Sequence, residues 1–422
     1  MKTIRIICRV FIGVLFIFSG YVKAIDPIGS QIIFTEYFKA FGVAFLTPVA
    51  LYFGVLLSSA ELLIGCCALL GVRMKETAWA TAAFMGFFTL LTLVLAVFNP
   101  VTDCGCFGEA IKLTNWQTFF KNLIILPFAA GMFWQRNNYK SFASCRAEWI
   151  TAGALALLPV ILSVYCYRHL PLIDFMAYKA GANITDVKND NQPDEFSTLL
   201  YYEKDGREQE FTMENYPKDT AWKFVRVDNK VIKKGYVSPM VDFSILRLTD
   251  REDVTDSILQ LSGYVFLLVM PHAEDASLKY AEKINALADY CAVQENRHFF
   301  ALSGSGEEEV AQFAVQTGAM YPFYTTDEKP LKSMVRANLG LVLLQDATII
   351  AKWSAADIPS PEQVEKKIIA AGNEKIIVCH KIYERLATEL LFLILFAAMA
   401  VWGFVFRRLA KKTAGAPATT VS

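Results

Sequence analysis

Residues 78–108 read AWATAAFMGFFTLLTLVLAVF, then NPVTD, then CGCFG. The first stretch, 78–98, has no charged residue and matches the ~20 apolar residues that a helix needs to cross a hydrocarbon core. It breaks at Asn99-Pro100 into a short polar loop that carries two thiols one residue apart, Cys104 and Cys106, with Gly105 between them and Gly108 behind. Cysteines so close in sequence close only a small, poorly shaped ring, so a disulfide between them is strained and easily reduced. Such a bond is a poor staple and a good electron acceptor. The stretch therefore reads as a membrane helix that delivers a redox-capable loop to a membrane surface.

Five more segments share the apolar character of 78–98: 4–24, 45–71, 116–134, 149–166 and 386–406. The 422 residues are 54% hydrophobic, with mean hydropathy +0.34, too apolar for an ordinary soluble protein. Zero net charge gives no basic face for nucleic acid. Nine cysteines without a regular spacing exclude a disulfide-stapled mini-fold, and four scattered histidines suggest no histidine metal site. The first segment has two readings. Lys2, Arg5 and Arg9 ahead of it and Val22-Lys23-Ala24 at its end fit a cleaved signal, and its length fits a retained anchor.

Orientation follows the positive charges. Lys2, Arg5 and Arg9, then Arg73 and Lys75, then Arg136, Lys140 and Arg146, then Arg407, Arg408, Lys411 and Lys412 fall on one side if all six segments span. That side is the cytoplasm. The Cys104–Cys106 loop and residues 167–385 then face the oxidising compartment, where disulfides persist.

Residues 167–249 are polar and carry strand and turn signals, with hairpins expected over 199–213 and 222–234, the second turning at Asp228-Asn229. From 250 strands and helices alternate. Strands are expected over 264–270, 297–302, 341–344 and 349–353, and helices over 278–290, 307–317, 331–337 and 361–371. The order β-α-β-α-β-β-α resembles the thioredoxin fold over 250–375. Thioredoxins carry Cys-x-x-Cys where the first core strand meets its helix. Here that junction reads Met270-Pro271-His272-Ala273-Glu274-Asp275-Ala276, with no cysteine, and the family's cis-proline position reads Asn338-Leu339-Gly340. The resemblance implies the fold without its thiol chemistry.

Arg9, Gly13, Phe16, Ser19-Gly20, Lys23, Asp26-Pro27, Glu61 and Gly65, followed by Cys104-Gly105-Cys106-Phe107-Gly108, resemble the DoxX-like family, in the redox-associated branch that includes the methylamine-utilisation protein MauE. The resemblance covers residues 1–135 and includes the first segment, which argues for keeping that segment as an anchor. It implies an association with disulfide formation or protection in a periplasmic partner, or with quinone-linked electron transfer. The paired Cys-x-x-Cys motifs of enzymes of the vitamin K epoxide reductase type are absent from this sequence.

Four residues are the candidate site. Cys104 and Cys106 read as a redox pair, a metal-binding pair or two turn residues. Metal is disfavoured because no further cysteine or histidine lies nearby to complete a ligand set. Asp103 and Glu109 raise thiol pKa values, and Lys23 and Lys112, expected on the same membrane face, oppose them. Glu61 lies deep in an apolar helix, where an ionisable group needs a partner. It reads as a proton relay or quinone-headgroup contact, or as neutral interhelical glue. Lys23 reads as an interfacial snorkelling residue or as a supporting cation.

The expected architecture is an α-helical transmembrane bundle of six helices with an α/β thioredoxin-like extracytoplasmic domain lacking the Cys-x-x-Cys. Its parts are a DoxX/MauE-like four-helix domain at 1–147, a fifth helix at 148–166, a β-rich module at 167–249, the thioredoxin-like domain at 250–375, a sixth helix at 384–408 and a cytoplasmic tail at 409–422. The expected protein resides in a bacterial inner membrane and relays electrons or disulfides between an extracytoplasmic thiol protein and a membrane carrier, with quinone the candidate cofactor and no metal. As an enzyme it would be a thiol–disulfide oxidoreductase. The alternative is a non-enzymatic scaffold or assembly factor whose inactive thioredoxin-like domain binds a client.

Overall fold

Glycine decides how the membrane half packs. The first apolar segment forms α1 (Lys2–Ile25), and α3 (Ala50–Leu70) lies along it. A Cβ on Gly20 would stand 2.6 Å from the backbone nitrogen of Leu62 and 2.8 Å from the carbonyl oxygen of Ser58, and one on Gly65 2.6 Å from the nitrogen of Ile17. No side chain fits at these distances, so small residues let the two backbones meet, as they do where membrane helices pack without a hydrophobic drive. In this computed structural model the described residues are 2–378 except 102–103, 140–143, 191–194, 205–206, 213–214, 216, 218–221, 234–237 and 371, and beyond them Ile382, Leu386, Thr388 and Glu389.

Around the α1–α3 pair stand α2 (Pro27–Ala40), α4 (Met74–Phe98), α5 (Asn115–Trp134) and α6 (Cys145–Arg168). One cluster joins Ile12 and Phe16 of α1 to Ile64, Met85, Ile125 and Met132, and a second joins Tyr21 and Ile25 to Leu62 and Cys166. Outward faces are apolar, as at Leu56, Phe87, Leu90, Ile124 and Ile161. Four of the described helices are long and apolar enough to cross a membrane: Thr3–Ile25, Ala44–Leu70, Met74–Phe98 and Cys145–Arg168. The expected segment at 116–134 is present as α5, in which Asn115, Lys121 and Asn122 dilute the apolar run. The sixth expected segment lies outside the described residues except at Leu386, Thr388 and Glu389. α2 has no counterpart in the sequence reading. Asp26 caps it through the amide of Gly29 (2.8 Å), and Pro27 starts it.

Beyond α7 (Ile184–Asn189), β1 (Glu195–Lys204), β2 (Arg207–Thr212) and β3 (Lys223–Lys233) form an antiparallel sheet in the order β2-β1-β3. The first expected hairpin is there. The second is not, because β3 runs straight through Asp228-Asn229, with Leu199 opposite Asp228 and Thr198 opposite Asn229. A two-residue hairpin of this kind favours glycine at its second position, and asparagine there lets the long β1 template an unbroken strand.

The α/β domain contains β4 (Leu246–Arg247), α8 (Thr255–Leu259), β5 (Tyr264–Met270), α9 (Ala281–Ala292), β6 (Arg297–Ser303), α10 (Glu307–Thr317), β7 (Phe323–Thr325), α11 (Glu328–Met334), β8 (Gly340–Gln345), β9 (Thr348–Ser354) and α12 (Pro361–Gln363), which continues as a wider turn. Its sheet order is β4-β7-β6-β5-β8-β9. Strands β5, β6 and β7 are parallel, and β8 and β9 are antiparallel additions. β5 is buried on both faces, as its continuous apolar run requires. Phe266, Leu268 and Met270 meet α9, α10 and the C-terminal turn on one side. Val265, Leu267 and Val269 meet Tyr178, Ile184, Met240, Phe243 and Ile245 on the other. The 167–249 stretch is therefore not one module. Its two ends supply this second layer, and its centre forms the separate β1–β3 sheet.

The α1–α3 contact yields a prediction. Gly20→Ala, which meets backbone at 2.6 Å, should lower stability by about 1–3 kcal/mol through overpacking. Gly86→Ala in α4, with nothing within 4 Å of the added carbon, should be neutral. Thermal denaturation of the two full-length variants in detergent compares them, and equal melting would show that glycine does not set the α1–α3 spacing.

Candidate functional site

The loop between α4 and α5 is tied at both ends before it presents its thiols. Asn115 donates from Nδ2 to Asn99 Oδ1 (2.8 Å) and to the Val101 carbonyl (2.7 Å), and Thr114 and Gln117 form a capping box that starts α5. Within the loop, the Gly108 amide donates to the Gly105 carbonyl (3.1 Å), closing a tight turn. Gly105 has φ +64°, and a Cβ on it would stand 2.4 Å from Ile33 of α2. Conformation and space both exclude a side chain there.

The turn brings the Sγ atoms of Cys104 and Cys106 to 2.9 Å, with both thiols free. Their carbonyls are held by side chains from other helices. Tyr37 of α2 donates its hydroxyl to the Cys104 carbonyl (2.9 Å). The Cys106 carbonyl accepts from Ser19 Oγ (2.8 Å) and from Lys23 Nζ (2.5 Å), both on α1. The same Lys23 ammonium donates to Glu61 of α3 (2.8 and 3.0 Å) and to Ser19 Oγ (2.8 Å). Lys23 and Glu61 are 6% and 5% exposed, so this is a buried ion pair with its hydrogen bonds filled. The structure thus brings Cys104, Cys106, Glu61 and Lys23 together. Lys23 does not snorkel to an interface. Its stem and ammonium are both enclosed, because Glu61 supplies the counter-charge inside the bundle.

The two thiols are not equivalent. Cys106 is held below the usual thiol range, chiefly by the hydrogen bond from Cys104 and then by the charges of Lys121 and Lys23, against the opposing effect of burial. Cys104 is pushed up, first by acting as that donor and then by burial. Both shifts act in one direction and favour Cys106 as the thiolate of the reduced pair, with Cys104 as the thiol. Lys121, from α5, escaped the sequence reading. A lone lysine inside the apolar run 116–134 is the same signal that singled out Glu61. Of the charges expected to tune the thiols, Lys112 is instead paired with Glu109 (2.9 Å), and Asp103 lies outside the described residues.

Both sulfurs line a cavity of about 310 Å³. Its polar end carries Ser19, Lys23, Glu61 and Lys121, and its walls are aromatic, from Phe34, Tyr37 and Phe38 on α2 and Phe84 and Phe88 on α4. Phe41 and Phe87, which also line it, are 46% and 62% exposed on the outer, apolar face of the bundle. The cavity is therefore open toward the surface that lipid would cover.

From the α/β domain, Arg336 reaches toward this site. Arg336, between α11 and β8, pairs with Asp26 (3.2 Å) and Glu109 (3.3 Å) and is 5% exposed. Asp26 caps α2, and Glu109 follows the thiol turn. Nearby, Asn338 brackets His272, accepting from its amide (3.0 Å) and donating to its carbonyl (2.9 Å). The His272 ring lies 3.2 Å from Glu328 and 3.5 Å from Glu274. No cysteine stands in the Met270–Ala276 junction, and Cys291 is buried in α9, its thiol pushed up to about 12 by burial.

Residues 1–135 match the family model described as methylamine utilisation protein MauE, and residues 196–234, the β1–β3 sheet, match a domain of unknown function, DUF8463. No protein of curated function matches the chain. Solved structures resemble part of it. A candidate protein disulfide isomerase from Bacteroides thetaiotaomicron is 18% identical, covering 31% of this chain and 86% of its own, with TM-score 0.26. A thioredoxin-like protein from Aeropyrum pernix is 12% identical, covering 31% and 89%, with TM-score 0.25. The bacterioferritin comigratory protein of Xanthomonas campestris is 11% identical, covering 33% and 91%, with TM-score 0.21. The membrane region is thus similar to the MauE family model over residues 1–135, and beyond it lies the α/β domain.

Proposed function

We propose that this protein passes disulfide equivalents through Cys104 and Cys106, between a thiol protein on the outer face of a bacterial inner membrane and a small carrier in the lipid. The observation that carries this reading is two free sulfurs 2.9 Å apart at the polar end of an aromatic cavity that opens on the apolar face. The match of residues 1–135 to the MauE model supports it. The four basic clusters, taken as cytoplasmic, support the orientation.

The chemistry has two halves. In one, the Cys106 thiolate and the Cys104 thiol give up two electrons and the one remaining thiol proton as the Sγ–Sγ bond forms, the other proton having left Cys106 for water when it ionised. A quinone is the class of carrier that takes up both electrons, that proton and a second proton from water. The aromatic walls suit a flat ring, and Lys121 is the residue lining the cavity whose ammonium is free to hold one of its oxygens. In the other half, a partner thiolate attacks the Cys104–Cys106 disulfide and forms a mixed disulfide. A second partner thiol displaces it, leaving the partner oxidised and the pair reduced. The Lys23–Glu61 pair keeps the Cys106 backbone in place through both halves, because it bonds the carbonyl and leaves the sulfur free.

Cys104→Ser should leave Cys106 able to form a mixed disulfide but without an internal thiol to resolve it. It should accumulate a reductant-sensitive adduct on non-reducing gels of intact cells, while the double Cys104→Ser/Cys106→Ser variant should not. An equal absence of adducts in the wild type and in both single serine variants, with normal function, rejects the relay and leaves the scaffold reading.

Glu61→Gln removes the counter-charge from a buried ammonium, which costs about 3–5 kcal/mol when a buried pair is broken. It should lower the melting temperature and speed alkylation of Cys104 and Cys106 in the full-length protein. Replacing both partners, Lys23→Met with Glu61→Leu, should restore much of the stability but not the slow alkylation, because the Cys106 carbonyl loses its anchor. A Glu61→Gln protein that melts and alkylates like wild type would show that the pair does not hold the turn.

A further inference from the structure

The site holds two lysines, and only one is neutralised. Lys23 is matched by Glu61 at 2.8 Å. Lys121 has no carboxylate within ion-pair distance among the described residues, and its Nζ lies 4.3 Å from the centre of the Phe107 ring. Glu61 is the one carboxylate among the residues lining the cavity. The Lys23 and Glu61 charges cancel, so the cavity keeps one net positive charge, on Lys121. An unmatched ammonium facing an apolar cavity is costly, and such a group is retained where a negative partner forms.

The groups facing Cys106 are few. They are Cys104 in its own turn, Lys23 from α1, Glu61 from α3 and Lys121 from α5. Tyr37 of α2 bonds the Cys104 carbonyl and lowers the Cys104 thiol rather than that of Cys106, and α4 lines the cavity with apolar residues. Glu61 is saturated by Lys23 and Ser19, which leaves the thiol pair as the site of negative charge for Lys121 to match.

We propose that Lys121 is a positioning residue for the thiol pair: its ammonium, seated on the Phe107 ring beside Cys106, is the counter-ion of the thiolate that the pair carries when reduced. This rests on the redox reading above. Phe107 adjoins Cys106 in sequence, so the cation–π contact ties the position of the ammonium to that of the sulfur. The stabilised charge exists only in the dithiol form, since the disulfide is neutral. Lys121 therefore favours the reduced pair, which makes the disulfide a stronger oxidant.

The test uses the reduced full-length protein in detergent, with iodoacetamide as the probe and peptide mass spectrometry to separate Cys104 from Cys106. Lys121→Met should move the half-maximal pH for Cys106 alkylation up by about 1 unit or more, the range for losing an opposite charge nearby, and Lys121→Arg should restore it. In a glutathione buffer of fixed ratio, Lys121→Met should also hold a larger fraction of the pair as disulfide than wild type. Should Lys121→Met fail to fold, Lys121→Gln is read in the same way. A Met or Gln profile that overlays wild type overturns the proposal, and so does a shift that Arg does not reverse, since packing rather than charge would then be its cause. The alkylation profile needs neither partner nor carrier. A pair that depends on Lys121 yet never cycles in cells would count against the relay alone, and overlaid profiles count against Lys121 alone.

Discussion

A lysine and a glutamate buried side by side between α1 and α3 hold this membrane domain's chemistry in place. Lys23 and Glu61 compensate one another, and the lysine still has a hydrogen bond to give to the Cys106 carbonyl. Each element of the arrangement depends on another. Gly20 and Gly65 let the helices approach closely enough for the pair to form. The pair fixes the turn from below, Tyr37 fixes it from the side, and Gly105 lets it pass Ile33. An ion pair in low dielectric is seldom the most stable solution available. Here it anchors a backbone carbonyl without consuming a sulfur, which a disulfide staple or an apolar contact would not do.

The two halves of the chain differ in where their cysteines lie. The α/β domain has a buried, mixed sheet and a braced His272 loop, but no thiol at the end of its central strand. The membrane half has the thiols. Arg336 joins them, pairing with the cap of α2 and with the residue that follows the thiol turn. On the aqueous side the turn is thus tied to a folded domain, while the cavity leads from the sulfurs to the apolar flank. In the proposed relay, a small apolar carrier would approach from this flank and a thiol partner from the side of the α/β domain.

Much of this was legible in the sequence, for identifiable reasons. The Cys104-Gly105-Cys106-Phe107-Gly108 turn declared itself because two thiols and two glycines interrupt an apolar run, and Glu61 did so because a carboxylate is expensive in such a helix. Strands β5, β6, β8 and β9 of the α/β domain followed from apolar runs such as 264–270, while the short strands β4 and β7 were not read. What failed were features fixed by distant parts of the chain. Asp228-Asn229 reads as a turn locally and becomes strand because β1 pairs across it. The residues covering the second face of β5 come from segments that read as linker, because their apolar side chains are scattered among polar ones and declare a common face only once folded. α2 was missed because its apolar residues follow the first segment after only Asp26-Pro27. The partnership of Lys23 with Glu61 could not be read at all, since the two are 38 positions apart on different helices.

The central claim is that Cys104 and Cys106 interconvert between dithiol and disulfide within one chain. Its most direct test is acid-quenched differential alkylation of the wild-type protein in intact cells, before and after brief reduction, with mass spectrometry of the peptide that carries both residues. The account predicts that the two sulfurs change together, a fraction of the peptide carrying no first-stage label at either cysteine and gaining both labels after reduction. A peptide fully labelled at both positions under every condition, or labelled at one independently of the other, would contradict it.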